Sequence, residues 1–160
     1  MSQGSATPAP LTTVAALLRT SVHGPDDRPS LDFMRDFAGA RLVSAELARH
    51  IAPLNPGSLL IWDEIQSGIL GFLVAERLGC TVLRAYENNG LLNLVDEPRS
   101  AHSTVLLADT FTSVRSVSGL VGLARAHDLH VELVASVLPG VLKASEVQNM
   151  DMPTFFIDGA

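Results

Sequence analysis

The sequence has few of the features that mark secreted, membrane or nucleic-acid-binding proteins. Its single cysteine, Cys80, cannot form an internal disulfide, which is typical of a cytoplasmic protein. No apolar run approaches the ~20 residues that cross a membrane, and the first residues show no signal-peptide pattern. The net charge is −6, and no basic run occurs. We therefore expect a cytoplasmic protein that binds neither membranes nor nucleic acid.

The residues that are abundant predict a folded body with a core. Apolar residues make up 47% of the 160 residues and charged ones only 18%, so the chain is globular rather than disordered. Residues 1–10 are rich in Ser, Gly, Ala and Pro and are predicted to be a flexible terminus. Residues 11–160 are predicted to form a single domain.

Apolar runs of strand type alternate with segments of helical periodicity. Strands are predicted at 58–62, 81–85, 104–108, 130–137 and 154–157, and helices at 11–22, 44–51, 69–78, 116–127 and 142–149. Ser44 is the predicted N-cap of the second helix, residues 30–37 fit either a strand or a short helix, and residues 86–102 are predicted to be irregular. This alternation predicts an α/β fold with a mainly parallel, twisted sheet of about five strands and helices on both faces.

The stretch from Thr104 to Ser118 carries the strongest functional signal. An apolar strand runs into Asp109, polar residues follow, and a helix pattern begins after them. Because ligands of parallel sheets bind beyond the carboxyl ends of the strands, Asp109 is predicted to accept a hydrogen bond from a ligand hydroxyl or to act as a general base. Its alternative role is to cap the following helix. The residues predicted either to bind an anion at the helix start or only to cap it are Thr110, Thr112, Ser113, Arg115 and Ser116.

Two further loops carry polar side chains after apolar strands. Asp63 and Glu64 fit either an acid–base pair, whose mutual repulsion raises one pKa, or two solvated loop charges. The loop after the strand at 81–85 fits either a substrate-binding segment or a plain turn. Its polar residues are Tyr86, Glu87 and Asn88.

The five histidines share no metal-ligand spacing, so no metal site of the chain's own is predicted. His102 precedes the strand at 104–108 and is the one histidine considered for a catalytic role. No Ser-His-Asp or Cys-His combination can be assembled from spacing alone.

Two motifs together resemble a known family. Val105-Leu-Leu-Ala-Asp109 is an apolar strand that ends in an acid, Thr112 and Ser113 are hydroxylated residues before a helix, and Ser67-Gly68-Ile69 lies upstream. Over about residues 30–157 this layout resembles the type I phosphoribosyltransferases, most closely the orotate phosphoribosyltransferases. In that family the acidic strand end contacts the ribose of phosphoribosyl pyrophosphate, the hydroxylated loop wraps its 5′-phosphate, and a Gly-Gly-Ile segment belongs to the pyrophosphate loop.

The chain departs from the family pattern where phosphate is handled. Thr110 stands where the family has a second acid, and Val114 and Arg115 stand where it has a small residue and a glycine. The family also places Arg-Lys and a mobile basic loop after the strand at 81–85, whereas the only lysine here is Lys143. Since cations absorb the charge of a leaving diphosphate, the resemblance implies a phosphoribosyltransferase-like scaffold with a degenerate motif.

The preferred hypothesis is an enzyme on this scaffold that has been repurposed for acid/base chemistry. It would act as a lyase, cyclase or isomerase on a small polar or anionic metabolite. The catalytic candidates are Asp109, Glu64, Glu87 and His102.

Two alternatives stay open at this point. One is a true orotate-type phosphoribosyltransferase that uses Mg²⁺ and phosphoribosyl pyrophosphate, with cations from Arg84, Arg115 or Arg99 of the partner subunit. The other is a non-catalytic, ligand-binding regulator or partner subunit. The resemblance also implies a homodimer.

Overall fold

Six strands form one sheet in the computed structural model, which describes residues 31–100 and 102–157. The strands are β1 (Ser58–Trp62), β2 (Thr81–Asn88), β3 (Leu91–Leu94), β4 (Ser103–Ala108), β5 (His130–Ser136) and β6 (Thr154–Phe156). Their order across the sheet is β3-β2-β1-β4-β5-β6, and only β3 runs antiparallel to its neighbour. The predicted mainly parallel sheet is confirmed, with six described strands instead of about five.

Helices cover both faces of the sheet, as predicted. They are α1 (Phe37–Ile51), α2 (Ile65–Leu78), α3 (Val114–Ala126) and α4 (Ser145–Gln148), with 3₁₀ turns at Ala52–Leu54 and Gly140–Lys143. Alternate residues of β1 point to opposite faces: Leu59 and Ile61 join the core under α1 and α2, whereas Leu60 joins the core under α3 and α4. The side chains of Leu59, Leu60 and Ile61 are all fully buried. The predicted helix at 11–22 lies outside the described residues.

Two helices begin earlier than the sequence indicated. Helix α1 starts at Phe37 because the carboxylate of Asp36 caps it, accepting a hydrogen bond from the Gly39 N–H at 2.8 Å. The prediction of Ser44 as N-cap is therefore wrong; its buried hydroxyl donates to the Arg41 carbonyl inside the helix. Residues 31–36 form neither a strand nor a helix but a turn that leads into α1. Helix α2 starts at Ile65, so the Ser67-Gly68-Ile69 motif is helical rather than part of a loop.

The segment after residue 85 is a hairpin, where the sequence reading expected irregular chain. Strand β2 continues to Asn88, and β3 returns beside it with Asn88 paired to Leu91. The two-residue connection has positive φ at both positions, 52° at Asn89 and 80° at Gly90, as a type I′ turn requires. Asn-Gly is the preferred sequence for this turn, and the sequence predicts a turn at residues 88–90, which is confirmed; the two strands that it connects were not inferred from it.

The strand order creates one crevice at the carboxyl edge of the sheet. From β1 the chain continues to β2 on one side, and it later returns to β4 on the other side. The helices that follow β1 and β4 lie on opposite faces, because α2 packs in one core and α3 in the other. The loops after these two strands therefore separate, and such a switch point is where α/β sheets bind ligands.

Several large apolar side chains are exposed on the described surface. The most exposed of them on α1, α2 and the turn before α1 are Met34, Phe37, Ile65 and Phe72. Apolar surface of this kind is typical of interfaces between proteins, and the homodimer stays a prediction. None of the described helices has both the length and the apolar character needed to cross a membrane.

The loop after β5 holds the segment that follows β4. The N–H groups of Val137 and Leu138 donate to the Asp109 carbonyl at 3.1 and 2.9 Å, and the Val141 N–H donates to the Phe111 carbonyl at 3.0 Å. Gly140 makes this approach possible because a Cβ there would lie 2.4 Å from the Phe111 carbonyl oxygen. Its φ of +45° also favours glycine.

We expect Gly140→Ala to destabilise the protein by about 2 kcal/mol or more, because the new methyl group meets backbone and the positive φ strains any side chain. Urea unfolding measures the loss. The matched control is Gly122→Ala in α3, where a Cβ meets nothing within 4 Å, and which should gain about 0.5–1 kcal/mol. Equal stability of the two variants would contradict this account of the turn.

Candidate functional site

A cavity of about 600 Å³ opens at the carboxyl ends of β1, β2 and β4. We call it the strand-end cleft. Its walls are the segments 62–64, 85–87 and 109–112, together with Ser116 at the start of α3. The structure thus brings together the three loops that the sequence singled out. The predicted site residues that line the cleft are Asp63, Glu64, Tyr86, Glu87, Asp109, Thr110, Thr112 and Ser116.

Asp109 is the most perturbed acid among the described residues. Burial raises the pKa of its carboxyl above the usual aspartate range, and the nearby Glu64 carboxylate raises it further. The backbone N–H groups of Thr110 and Asp109 and the Ser67 hydroxyl lower this pKa, but the effect of burial dominates. The fold therefore holds a carboxyl that gives up its proton less readily than usual, which suits a general acid or base.

The two acids after β1 have different surroundings. Arg84 lies 3.5 Å from Asp63 and 3.4 Å from Asp96, so the charge of Asp63 is partly balanced by an ion pair. Glu64 occupies the N-cap position of α2 but makes no capping hydrogen bond with its side chain. The carboxylate of Glu64 is thus available to the cleft, while that of Asp63 is engaged at its edge.

The segment before α3 divides into two roles. The Ser113 hydroxyl accepts a hydrogen bond from the Ser116 N–H at 3.1 Å, and the Ser116 hydroxyl donates to the Ser113 carbonyl at 2.7 Å. These contacts cap helix α3. Capping is the role that the sequence offered for Ser113 and Ser116 as the alternative to anion binding. Ser113 and Arg115 line a second cavity of about 350 Å³ between α3 and the β2–β3 hairpin. We call this cavity the hairpin pocket; it shares Trp62, Glu87 and Ser116 with the strand-end cleft.

Two buried donors near Asp109 are not among the predicted site residues, although Ser67 belongs to the Ser67-Gly68-Ile69 motif. The Trp62 indole nitrogen and the Ser67 hydroxyl oxygen are buried and have no hydrogen-bond partner among the described residues. Ser67 lies near enough to lower the pKa of Asp109, yet the pair lacks normal hydrogen-bond geometry, so we treat the contact as weak. Trp62 is the last residue of β1, and from this position the sequence favours a core or interface role, with stacking on a planar ligand as the alternative.

Two predicted site residues lie elsewhere. His102 is at the opposite edge of the sheet, where its Nε2 lies 2.8 Å from the hydroxyl of Ser58, the first residue of β1. Its Nδ1 lies 2.6 Å from the Ser100 carbonyl oxygen. The prediction of His102 as a catalytic partner of Asp109 is therefore corrected. His102 precedes β4 and Asp109 follows it, so the length of the strand separates the two side chains. Asn88 lies in the hairpin and lines neither cavity.

The raised pKa of Asp109 determines the direction in which the stability of the protein changes with pH. The folded state holds this proton more tightly than the unfolded chain, so the stability it contributes is complete below the unfolded pKa of about 4 and is lost as pH rises through the folded pKa. Asp109→Asn carries no charge at any pH. We therefore expect it to raise the thermal midpoint at pH 7, by an amount that shrinks towards pH 4.

Circular dichroism melts between pH 4 and pH 8 measure this effect. The control is Asp128→Asn, an exposed position with a φ of +57° that asparagine also adopts, and it should change the unfolding free energy by less than about 0.5 kcal/mol. A constant gain for Asp109→Asn at every pH, or a loss at pH 7, would argue against a burial penalty on the charge.

Comparison with known proteins was carried out on sequence and on structure. No protein-family model and no curated protein matches the sequence. Adenine phosphoribosyltransferase from Saccharomyces cerevisiae aligns with a TM-score of 0.73 and 12% identity over 91% of this chain and 99% of its own. Mycobacterium tuberculosis orotate phosphoribosyltransferase aligns at 0.68 and 14% over 92% and 94%. A Corynebacterium diphtheriae phosphoribosyltransferase aligns at 0.70 and 17% over 92% and 94%.

These likenesses agree with the resemblance drawn from the sequence, and they concern the fold. Identities of 10 to 17% in the three-dimensional matches carry no information about individual catalytic residues. Orotate and adenine enzymes both align over nearly the whole chain. The chain therefore has the fold of the type I phosphoribosyltransferases.

Proposed function

We propose that this protein is an enzyme in which a phosphoribosyltransferase-like scaffold carries out acid/base chemistry on a small polar molecule held in the strand-end cleft. The observation that carries the proposal is Asp109. It is a carboxyl whose pKa is raised by burial, it stands at the switch point of the sheet, and its own carbonyl is held by two backbone hydrogen bonds.

The roles of the neighbouring side chains follow from their positions. Asp109 would take a proton from the substrate or return one to it. Glu64, whose charge already affects Asp109, would serve as the second acid–base group, and Glu87 lines the same cleft from β2. Removal of a proton is an early step in many lyase, cyclase and isomerase reactions, and the proposal does not choose among these three classes.

The charge of the cleft narrows the class of substrate. Four carboxylates line it, those of Asp63, Glu64, Glu87 and Asp109, and no Lys or Arg is among the described lining residues. An anionic group would be repelled there, whereas a hydroxyl or an ammonium group would be attracted. The sequence led us to expect a polar or anionic substrate. Our proposal keeps the polar substrate, but the group bound in the strand-end cleft is uncharged or cationic rather than anionic.

The alternative, an orotate-type phosphoribosyltransferase, is supported by the shared fold alone. Of the three cations suggested for it, Arg84 is paired with two aspartates, and Arg99 lines a separate cavity that also contains His102. Mg²⁺ would help to neutralise a diphosphate, but no three acidic, His or Cys side chains in the described ranges are grouped so as to hold a metal ion. The described residues therefore form no three-ligand metal site of their own, and in this alternative Mg²⁺ would be held largely by the diphosphate and water.

Proton abstraction can be detected without knowledge of the product. Small polar metabolites with acidic C–H bonds are incubated with the protein in D₂O, and NMR follows the replacement of hydrogen by deuterium. We expect exchange in a substrate of the wild-type protein, slowed about 10²–10⁴-fold in Asp109→Asn because the general base is lost. Glu76→Gln, on the exposed part of α2, is the control and should exchange at the wild-type rate.

Calorimetric titration with phosphoribosyl pyrophosphate, with and without Mg²⁺, tests the alternative. We expect no binding at millimolar ligand, because nothing in the cleft offsets the diphosphate charge. Micromolar, Mg²⁺-dependent binding that Asp109→Asn weakens would replace our proposal by the transferase. Deuterium exchange that is unaffected by Asp109→Asn would also count against the proposed role of this residue.

A further inference from the structure

Ser67 is a buried serine whose hydroxyl is not used by its own helix. Only 1% of the residue is exposed, and its hydroxyl oxygen has no hydrogen-bond partner among the described residues. A serine inside a helix commonly donates to a carbonyl one turn earlier, as the buried Ser44 does to Arg41 in α1. Buried hydroxyls without a partner are rare in folded proteins, so we expect the Ser67 hydroxyl to serve an acceptor outside its helix.

The packing of α2 places Ser67 on the face of the sheet that also carries Asp109. Ser67 begins the buried stripe of α2, and Leu70 continues it one turn later. Leu70 packs in the same core as Val105 and Leu107 of β4. Because side chains alternate along a strand, Asp109, two residues after Leu107, continues this row towards α2. The Ser67 hydroxyl is accordingly close enough to the Asp109 carboxyl to lower its pKa.

A glycine holds this end of α2 close to the sheet. A Cβ at Gly71 would lie only 3.1 Å from the Cδ1 atom of Ile61 in β1, so the helix approaches the strand more closely than a larger residue would allow. Ser67 lies one turn before Gly71 in the same helix. The close approach therefore fixes the Ser67 side chain against the ends of the strands.

The ionisable side chains that share the strand-end cleft with Asp109 carry negative charge or none at neutral pH. They come from the end of β1, the start of α2 and from β2, and they are Asp63, Glu64, Tyr86 and Glu87. The loop after β5, which holds the Asp109 backbone, has no ionisable side chain at 137–142. Two backbone N–H groups and the Ser67 hydroxyl lower the pKa of Asp109. Ser67 is thus the one side chain in the described ranges whose contact favours the ionised form.

We propose that Ser67 is a positioning residue for the proposed base, and that its hydroxyl turns to donate a hydrogen bond to the Asp109 carboxylate when that carboxyl gives up its proton. The proton of Asp109 passes to solvent in this step, and the hydrogen of Ser67 stays on its own oxygen. A carboxylate is a stronger acceptor than a neutral carboxyl, so the contact strengthens on ionisation. This inference rests on the proposed function and deepens it, because it names the side chain that stabilises the proton-accepting form of the base.

The titration of Asp109 tests the role of Ser67 without a substrate. Carboxyl-carbon NMR of protein carrying isotope-labelled aspartate follows the ionisation, and the signal that disappears in Asp109→Asn is that of Asp109. We expect Ser67→Ala to reduce the acid dissociation constant of Asp109 about three- to tenfold, because a hydrogen bond to the charged form is lost. The titration midpoint of Asp109 therefore moves to higher pH.

Three further variants separate the hydrogen bond from packing. Ser67→Cys has a similar shape, but its thiol donates weakly, so its midpoint should lie between those of the wild type and Ser67→Ala. Ser44→Ala removes a buried helical hydroxyl of the same kind from α1 and should leave the Asp109 midpoint unchanged. Glu64→Gln should move this midpoint to lower pH, because it removes a nearby negative charge. Thermal melts show whether each variant is folded.

The outcomes separate this inference from the proposed function. If Ser67→Ala leaves the Asp109 midpoint in place while Glu64→Gln lowers it, the role of Ser67 is overturned and the acidic cleft stands. Equal rises in Ser67→Ala and Ser44→Ala also overturn it, because a general loss of packing would explain both. If the midpoint rises as expected but the protein exchanges no hydrogen of any small metabolite, the role of Ser67 is supported and the proposed reaction fails.

Discussion

The parallel pairing of β1 with β4 is the constraint on which the candidate site depends. Ser58 lies opposite Thr104 and Leu60 opposite Leu106, so the two strands run side by side and end at the same edge. These two neighbouring strands are not consecutive along the chain, and the helices that follow them pack on opposite faces of the sheet. A crevice must open between the two loops, and every acid proposed for catalysis lies within two residues of a strand end at this crevice.

Within that crevice one side chain, the carboxyl of Asp109, is energetically unfavourable in its charged form. The charge of Asp109 is disfavoured by burial, yet its backbone is held on both sides by hydrogen bonds from the loop after β5. Asp63, only a short distance along the cleft wall, has its charge balanced by Arg84. A residue that is rigidly placed and electrostatically unfavourable is expected where function, rather than stability, has selected the side chain.

The scaffold and the chemistry can therefore be considered separately. The chain shares its fold with orotate and adenine phosphoribosyltransferases at identities of 11 to 14%, but its strand-end cleft is acidic. The tight Asn89-Gly90 hairpin occupies the position after β2 where the family resemblance implied a longer basic loop. Arg115, which forms no ion pair with another described residue, lines the hairpin pocket and not the strand-end cleft. A fold of this kind accommodates different reactions through the side chains at its strand ends.

The sequence by itself determined the strands, most of the helices and the importance of Asp109, because these depend on neighbours within a few residues. The apolar runs of β1, β4 and β5 predict buried strands, and the acid after β4 falls at a strand end whatever the rest of the chain does. The β2–β3 hairpin was equally local in origin: its Asn-Gly turn was predicted at residues 88–90, but the strands on either side of the turn were not. Helix starts were less well determined, since Asp36 rather than Ser44 supplied the cap.

Only the tertiary structure decided which distant residues meet. His102 and Asp109 are seven positions apart, yet a strand between them places them at opposite edges of the sheet. Glu64 and Asp109 are far apart in sequence, yet β1 and β4 bring them near enough for the Glu64 charge to raise the pKa of Asp109. The raised pKa of Asp109, the unpaired indole of Trp62 and the acidic lining of the strand-end cleft all arise from burial and proximity between separate elements. Such properties depend on the packing of the whole sheet, and no local pattern in the sequence encodes them.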